Sequence, residues 1–367
     1  MKVTIVGAGI VGAAIAYELG SRGARVCLVD GVGQGATQAS AGVLAPYIEG
    51  HSSSLLRLGL GSLHQYDSFI SRVSADAGRP VEYRRLGTLQ VARTGDEVRQ
   101  LKEAAAALAA SSVSHACLDG DAARALEPAL SGSVCGALRV PDQGYVGVAS
   151  LMSALQAAIA RQGATLSTAR VTGIARRGGE VTVETGDDPG AADALSADAV
   201  IVAAGSWSGS ISMSPAVSPP VRPVRGQLLQ LRFPEPPFAH VIWGAAAYLV
   251  PWEDGSVLVG ATVEDVGFDA RVTVAGVRQL LDAAEALVPT TASVVLDGAR
   301  AGLRPATPDQ LPIIGPSSTM PGLYFATGHY RSGVLLAPVT SSMVADLVLD
   351  GRESADLALV RPDRTGL

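Results

Sequence analysis

A glycine-rich turn near the start of the chain limits the possible folds more than any other feature. The segment KVTIVGAGIVG is a short β-branched run followed by Gly7, Gly9 and Gly12 in the pattern G-x-G-x-x-G. The next residues, IVGAAIAYELGSRG, have a helical pattern that ends at Gly23, and ARVCLVD then reads as a second strand ending at Asp30. This order is a βαβ unit, so the sequence predicts an α/β fold that contains a Rossmann-like domain.

The same three glycines and Asp30 predict a dinucleotide site. Gly7 permits the tight turn, Gly9 lets the backbone approach a pyrophosphate, and Gly12 lets the helix pack closely on the strand. The pyrophosphate would lie at the helix N-terminus, where free N–H groups favour anions. Asp30, eighteen residues after Gly12, can accept hydrogen bonds from ribose hydroxyls and would repel a 2′-phosphate. The alternative is a glycine-rich turn without a ligand.

The residues after Asp30 bear on which dinucleotide binds. GVGQGATQASAGVLAP is a loop of small residues that can lie flat over a long cofactor. No second G-x-G-x-x-G follows a strand, as an NAD(P)H-driven flavoenzyme would usually require. Either one NAD binds, or one FAD binds and the substrate supplies the electrons, and the rest of the chain favours FAD.

Composition excludes several classes of protein. Hydrophobic residues make up 48% of the 367 residues and charged residues 17%, so disorder is not expected. The net charge is −6 and no basic stripe is visible, which argues against a nucleic-acid partner. Three cysteines without C-x-x-C spacing and five scattered histidines predict neither a disulfide framework nor a metal site. We see neither a membrane-spanning segment nor a signal peptide, and therefore expect a cytoplasmic protein.

The later part of the chain alternates between two patterns. Apolar runs at 197–208 and 322–338 suit a parallel sheet, as does the helix SLMSALQAAIARQG with a Ser150 cap. Alternating, aromatic-bearing runs at 221–271 are typical of an antiparallel sheet, in which Glu264 and Asp265 would form a solvated turn. We predict an FAD-binding domain of residues 1–80, 146–218 and 299–367, interrupted by an α+β substrate-binding domain with a mainly antiparallel sheet, residues 81–145 and 219–298.

Several segments together resemble the FAD-dependent D-amino acid oxidase superfamily, and within it the glycine oxidases of thiamin biosynthesis. The matching segments occur in the family order from residue 3 to about residue 350: IVGAGIVGAAIAYEL, SAGVLAP, VIVAAGSWS, PVRGQLLQL, YLVPWEDGSVLVGATVEDVGFD, GLRPATPDQLPIIG and ATGHYRSGVLLAP. The resemblance implies a glutathione-reductase type FAD domain, non-covalent FAD, and a homotetramer. The chain has no cysteine after Cys135 that could form the late covalent flavin link of related sarcosine oxidases.

The resemblance also implies roles for individual residues. Arg304 and Tyr248 would bind the substrate carboxylate, with Val263, Arg331 and Tyr330 around the rest of the substrate. The residues implied in cofactor binding are Gly7, Gly9, Ile10, Val11, Gly12, Asp30, Ser40, Ala41, Gly42, Val43, Val171, Gly205, Trp207, Arg304, His329, Arg331, Ser332, Gly333 and Val334.

The two arginines in apolar surroundings have a physical explanation on this interpretation. A buried carboxylate needs a partner, and the guanidinium of Arg304 can bind it bidentately. The positive charge of Arg331 would stabilise the negative charge on the reduced flavin. Each side chain also has a purely structural interpretation. Arg304 could lie on the surface and Tyr248 could serve only in packing. Arg331 could partly stabilise the fold, and His329 could cap a helix or pack in the interior.

The implied reaction is oxidative deamination of glycine or a small amino acid, such as sarcosine or a D-amino acid. Hydride transfer from Cα to flavin N5 would yield a 2-oxo acid, ammonia and, with molecular oxygen, hydrogen peroxide. Alternatives are a D-amino acid or 2-hydroxy acid dehydrogenase with another acceptor, an oxidase for a larger secondary-metabolite amine, a non-catalytic flavoprotein, or a plain NAD dehydrogenase.

Four positions depart from the family pattern. Tyr330 and Ser332 stand where Phe and Asn are frequent, and Arg300 stands where a Trp often precedes AGLRP. Val263 stands where a Met often reaches the substrate side chain. The shorter Val263 predicts room for something larger than glycine.

Overall fold

The computed structural model describes residues 1–31, 35–48, 53–186 and 193–367. The segment GDDPGAADA, residues 186–194, predicts a polar hairpin loop, and most of it lies outside the described residues. In chain order, the strands are β1 (Lys2–Val6), β2 (Arg25–Asp30), β3 (Val43–Leu44), β4 (Tyr83–Arg84), β5 (Thr88–Ala92), β6 (Ala116–Asp119), β7 (Gly136–Val140), β8 (Gly144–Val146), β9 (Thr165–Thr168), β10 (Val171–Arg177), β11 (Glu180–Thr185), β12 (Asp193–Ala197), β13 (Ala199–Val202), β14 (Ser212–Ser214), β15 (Arg222–Arg232), β16 (Val241–Trp243), β17 (Tyr248–Pro251), β18 (Ser256–Gly260), β19 (Val295–Ala306), β20 (Ile313–Pro316) and β21 (Leu323–Thr327).

The helices of the described residues include the one predicted after the glycine turn. They are α1 (Ile10–Ser21), α2 (Ser53–Ala77), α3 (Gly95–Ala110), α4 (Gly120–Leu126), α5 (Val148–Arg161), α6 (Val274–Leu287) and α7 (Gly333–Ala345). The predicted cap at Ser150 is wrong, because α5 begins two residues earlier, after Gly147. The Ser150 hydroxyl instead donates to the Gly147 carbonyl at 2.8 Å, within the first turn.

A six-stranded sheet forms the centre of the nucleotide-binding part, in the order β20-β21-β13-β1-β2-β9. All its pairs are parallel except β20 with β21. Helices α1, α2, α5 and α7 share one apolar core on one face, which includes Ile15, Tyr66, Leu151 and Leu336. The other face packs on the four-stranded sheet β12-β11-β10-β14. Coverage on both faces explains the continuous apolar runs of β1 and β13.

An eight-stranded sheet forms the second part, in the order β19-β15-β18-β17-β16-β5-β7-β6. It is antiparallel except where β16 runs parallel to β5. The hairpin between β17 and β18 turns at Gly255, whose φ of +81° suits glycine. Helix α6 covers one face of this sheet with Leu280, Ala284 and Leu287, and the opposite face looks toward the nucleotide-binding part.

The domain boundary placed at residue 299 falls inside a strand. Strand β19 is hydrogen-bonded along its length to β15, so residues 299–306 belong to the eight-stranded sheet and not to the six-stranded one. A sequence boundary drawn at a change of composition misses this, because the end of β19 is as apolar as a parallel strand. The three-stranded sheet β3-β8-β4 joins segments from both predicted domains.

One helical stretch has the length and hydropathy of a membrane span, which the sequence pattern alone did not indicate. Residues Gly333–Asp350 have a mean hydropathy of 1.5 over 18 residues, but 72% of the stretch is buried inside the fold. Helix α7 lies in the main core with Leu336, Val344 and Ala345. Its apolar composition is accounted for by that packing.

Candidate active site

A large cavity of about 740 Å³ lies where the carboxyl ends of β1, β2, β13 and β21 face the eight-stranded sheet. This edge of a parallel sheet is where α/β proteins bind ligands. The cavity is lined by the predicted residues Gly7, Gly9, Ile10, Val11, Asp30, Ser40, Ala41, Gly42, Val43, Val171, Gly205, Trp207, Tyr248, Val263, Arg304, His329, Tyr330, Arg331, Gly333 and Val334.

Two predicted cofactor residues, Gly12 and Ser332, do not line the cavity. A Cβ atom at Gly12 would clash with the carbonyl oxygen of Gly7, so this glycine lets α1 pack against the turn that precedes it. Ser332 is buried and caps α7, and its carbonyl oxygen accepts from the Leu336 N–H at 2.8 Å. Both support the cavity wall from behind.

The glycine turn is shaped to bring backbone close to a ligand. Gly7 has φ +106°, and a side chain there would clash with Ala203. A Cβ atom at Gly9 would lie 3.1 Å from the Thr37 hydroxyl. That hydroxyl accepts a hydrogen bond from the Ile10 N–H at 3.0 Å, at the start of α1. Thr37 therefore helps to hold the helix end that faces the cavity, a residue that the sequence analysis did not identify.

Asp30 lies at the end of β2 and its side chain reaches the cavity. Burial raises the pKa of this carboxyl, and backbone hydrogen bonds from Ala8 and Gly31 partly offset the effect. A carboxylate at the strand end, beside the helix N-terminus, is the arrangement that accepts ribose hydroxyls. Arg170 and Val171 line the same end of the cavity.

Arg304 extends from β19 across the neighbouring strand β15. Its half-buried guanidinium lies over Gly226, where a Cβ atom would clash with it. Nη1 donates to the Thr262 carbonyl at 2.9 Å and to the Arg225 carbonyl at 3.3 Å. All hydrogen bonds that the described part of the chain makes to this guanidinium use Nη1. The remaining N–H groups are thus available to a ligand in the cavity.

Tyr248 reaches the same face of the sheet from β17. Its ring lies over Gly260, the residue paired with it on β18, and a Cβ atom there would clash with the phenol. The ring of Trp243 packs against it with centroids 4.8 Å apart. Gly260 pairs with Leu228, and Gly226 lies two residues from Leu228 on the same face. The two glycines therefore leave space for both predicted carboxylate-binding side chains.

The loop before α7 contributes Tyr330 and Arg331. Tyr330 has φ +48°, rare for a residue with a side chain, and its N–H donates to the Pro305 carbonyl at 2.8 Å. This bond ties the loop to the residue after Arg304. The exposed Arg331 guanidinium lies 5.1 Å from the Tyr330 ring centroid. A second cation thus lines the same cavity as Arg304.

His329 is buried below this loop and its Nε2 lies 3.1 Å from the Thr340 hydroxyl. Desolvation lowers its pKa to about 3, so the imidazole is neutral at physiological pH. The geometry fits a packing histidine, the alternative that the sequence left open.

Exposed apolar side chains surround the mouth of the cavity. Val263 is 59% exposed and lines the cavity. Trp207, also a lining residue, packs on Phe268 with ring centroids 5.7 Å apart. Because Val263 has a short side chain, space remains beside Arg304 at the mouth of the cavity.

The expectation of a solvated turn at Glu264 and Asp265 is wrong for Glu264. Its carboxylate pairs with the buried Arg225 at 2.5 Å and accepts from Gln227 and Thr262 at 2.7 and 2.6 Å. Asp265 is exposed, as expected, and pairs with exposed Arg222. Adjacent acids in sequence point to opposite sides of the extended backbone, so one meets the interior and the other the solvent.

Gly226 and Gly260 were also missed as site residues. The signal for them was a glycine within a strand pattern, which marks a close approach of another group. Periodicity cannot show which side chain makes that approach.

The cavity fits FAD by the chemistry of its lining. It combines a glycine turn at a helix N-terminus, a carboxylate at the strand end, and small residues at 39–42. Gly42, with φ +74°, lets that segment lie against Val146. Such a lining offers N–H groups to a pyrophosphate and an acceptor to a ribose. Among the described residues no cluster of His, Cys, Asp and Glu could hold a metal ion.

The comparisons with known proteins identify the family and the fold. The family model described as FAD dependent oxidoreductase matches residues 2–347. Glycine oxidase of Geobacillus kaustophilus is 33% identical over 363 residues, which is 97% of this chain and 95% of that protein. The crystal structure of glycine oxidase from Geobacillus kaustophilus superposes with a TM-score of 0.91 at 32% identity, covering 98% of this chain and 97% of that one.

A longer relative is equally similar in sequence. The bifunctional protein ThiO/ThiG of Synechocystis sp. is 34% identical over 372 residues, which is 99% of this chain but 54% of the relative. The chain thus spans about half the length of such bifunctional relatives. With a family match over nearly its whole length, a fold shared with glycine oxidase and a cavity suited to FAD, the chain belongs to the FAD dependent oxidoreductase family.

Proposed function

We propose that the protein is an FAD-dependent oxidase that deaminates glycine or another small amino acid. The observation that carries the proposal is the guanidinium of Arg304, held by Nη1 to two carbonyls while its other edge is left to the cavity. A planar cation fixed in this way is a receptor for a carboxylate. Similarity to glycine oxidases over nearly the full chain supports the amino acid class.

Arg304 and Tyr248 would orient the substrate. The guanidinium binds the carboxylate bidentately and the phenol adds a further hydrogen bond, which together fix Cα. Trp243 and Val263 line the cavity and would contact the substrate's side chain or its N-substituent. All amino acid substrates share the carboxylate that Arg304 and Tyr248 would bind. The substrate side chain can therefore vary within the space beside Val263.

Among the described residues that line the cavity, none is placed to act as a base for the substrate amine. Asp30 is the acidic residue among the described residues that line the cavity, and it lies at the dinucleotide end. His329 is buried, neutral and directed at Thr340. The amine would therefore enter the reaction as the free base after losing its proton to solvent.

When bound, FAD supplies the acceptor for the hydride from Cα and passes the electrons on to oxygen. The residues that would hold it are those of the glycine turn, Asp30, the small-residue segment 39–42 and the loop at 328–334. Arg331 would place positive charge beside the flavin ring. The chain's own contribution is thus position, charge and exclusion of water.

Anaerobic titration of the purified holoprotein tests the proposal. Glycine, sarcosine, D-alanine, D-proline and L-alanine are added separately and the flavin absorbance is followed, with peroxide measured when air is readmitted. Bleaching by glycine or sarcosine followed by peroxide is the expected result. A flavin that none of these amino acids reduces would overturn the proposal, and reduction without peroxide would replace oxygen by another acceptor.

A role in making the thiazole of thiamin is part of the same proposal, since it rests on the resemblance to glycine oxidases of that pathway. The homotetramer and the cytoplasmic location remain predictions from the sequence. Light scattering coupled to size-exclusion chromatography tests the first, and a mass other than four chains contradicts it.

A further inference from the structure

An ion pair between the buried Arg225 and the half-buried Glu264 lies behind the arginine proposed to bind the carboxylate, and it contacts the same backbone. Arg225 is 4% exposed, in the middle of β15. Its guanidinium donates to Glu264 at 2.5 Å and also pairs with Asp269 at 3.1 Å. Loss of a carboxylate would leave the buried Arg225 guanidinium with one partner fewer, which is costly, so this contact holds the segment after β18 in place.

Glu264 is the centre of the cluster. Besides Arg225, it accepts hydrogen bonds from Gln227 at 2.7 Å and from Thr262 at 2.6 Å. Burial alone would raise the pKa of Glu264, but the hydrogen bonds from Arg225, Thr262 and Gln227 lower it to about 2. The carboxylate therefore stays charged at any pH at which the enzyme would be assayed.

Backbone hydrogen bonds also join Arg225 to Glu264. Arg225 N–H donates to the Glu264 carbonyl at 2.9 Å, and Glu264 N–H donates to the Arg225 carbonyl at 3.0 Å. The Gln227 N–H donates to the Thr262 hydroxyl at 2.9 Å. Side chains and backbone together fix residues 262–264 against β15.

Both acceptors of Arg304 belong to this cluster. Nη1 of Arg304 is bonded to the carbonyls of Thr262 and Arg225, the two residues that Glu264 joins. Gly226, over which the guanidinium lies, is between Arg225 and Gln227. Arg225 and Gln227 point to one side of β15, and Arg304 crosses on the other.

We infer that Glu264 and Arg225 are positioning residues for Arg304: the pair fixes the two carbonyls that set the direction of the carboxylate-binding guanidinium. The inference rests on the proposed function for the role of Arg304. Glu264 acts through Thr262 and Arg225 and touches neither substrate nor cofactor. A guanidinium that can swing by an ångström loses the alignment that bidentate binding needs.

The test compares Glu264→Ala with Asp265→Asn. Asp265 is the next residue, 73% exposed at its side chain, and pairs with exposed Arg222, so its variant removes a neighbouring charge without touching the cluster. Acetate binding to the oxidised holoprotein is measured from the change in the flavin spectrum, and FAD affinity is measured alongside. Glu264→Ala should weaken acetate binding roughly tenfold or more and leave FAD affinity unchanged, while Asp265→Asn changes neither.

The named outcomes separate the two proposals. Equal acetate affinity in Glu264→Ala and wild type overturns the positioning role, as does an equal loss of acetate and FAD affinity, which indicates general damage. If Glu264→Ala does not fold, Glu264→Gln keeps the size of the side chain and should give a smaller loss of the same kind. A wild type that binds no acetate overturns both proposals, whereas one that binds acetate but is reduced by no amino acid overturns only the oxidase.

Discussion

The Arg304 guanidinium lies across Gly226, and no residue with a side chain can replace that glycine without moving the arginine. The contact joins β19 to β15 at the edge of the cavity. It explains why the segment PVRGQLLQL has a glycine inside a largely buried strand. Under the proposed function, substrate recognition depends on the absence of a side chain at Gly226 as well as on the presence of the Arg304 guanidinium.

Gly226→Ala should therefore impair catalysis without unfolding the protein. The added methyl group displaces the guanidinium, and we expect kcat/KM for the amino acid substrate to fall about tenfold or more. Gly298→Ala on β19 is the matched control, because a Cβ atom there meets nothing within 4 Å. Steady-state peroxide production of the two variants is compared; equal activity would show that Arg304 does not need its present position.

Arg304→Lys tests the bidentate geometry itself. Lysine retains the charge but cannot bond Thr262 and a carboxylate through a planar fork. We expect a loss of about 2 kcal/mol of transition-state stabilisation, or about thirtyfold in kcat/KM. The acetate dissociation constant should rise with it, and an unchanged value would mean that the carboxylate binds elsewhere.

Val263→Met should narrow the range of substrates. The longer side chain fills the space beside Arg304, so activity toward D-proline should fall about tenfold relative to glycine. Val266→Met, three residues along the same segment and 41% exposed, provides a control that does not line the cavity. Ratios of kcat/KM for glycine and D-proline are measured; an unaltered ratio in Val263→Met contradicts a role in side-chain selection.

The buried His329 should make stability depend on pH. Its pKa is lowered by desolvation from 6.5 to about 3, so protonation favours the unfolded chain. Its contribution to stability is complete above pH 6.5 and is lost as the pH falls from there toward 3, by about 1.4 kcal/mol per pH unit. Denaturant unfolding of His329→Gln, with FAD in excess, should show a shallower dependence over this range.

The exposed His64 provides the comparison for that experiment. His64→Gln should keep the pH dependence of the wild type. If His329→Gln keeps it as well, another group is responsible for the loss of stability in acid.

Much of the cofactor end was predictable because its pattern is local. The strand, the glycine turn, α1 and Asp30 follow one another within thirty residues, and the positive φ of Gly7 is one that glycine readily adopts. The mainly antiparallel character of the eight-stranded sheet was predictable, but the order in which its strands pair was not. Strand β5 joins β16, about 150 residues later, and short-range patterns contain no information on such a partner.

At the substrate end of the cavity, less could be predicted from the sequence. The sequence by itself determined the α/β class, the dinucleotide turn and, through resemblance, Arg304 and Tyr248 as the residues to examine. Only the tertiary structure decided that Glu264 pairs with the buried Arg225 while Asp265 is solvated, and that Gly226 lies beneath Arg304. These facts depend on which strands become neighbours, and that is settled by packing and hydrogen bonding between distant segments rather than by any residue's own preference.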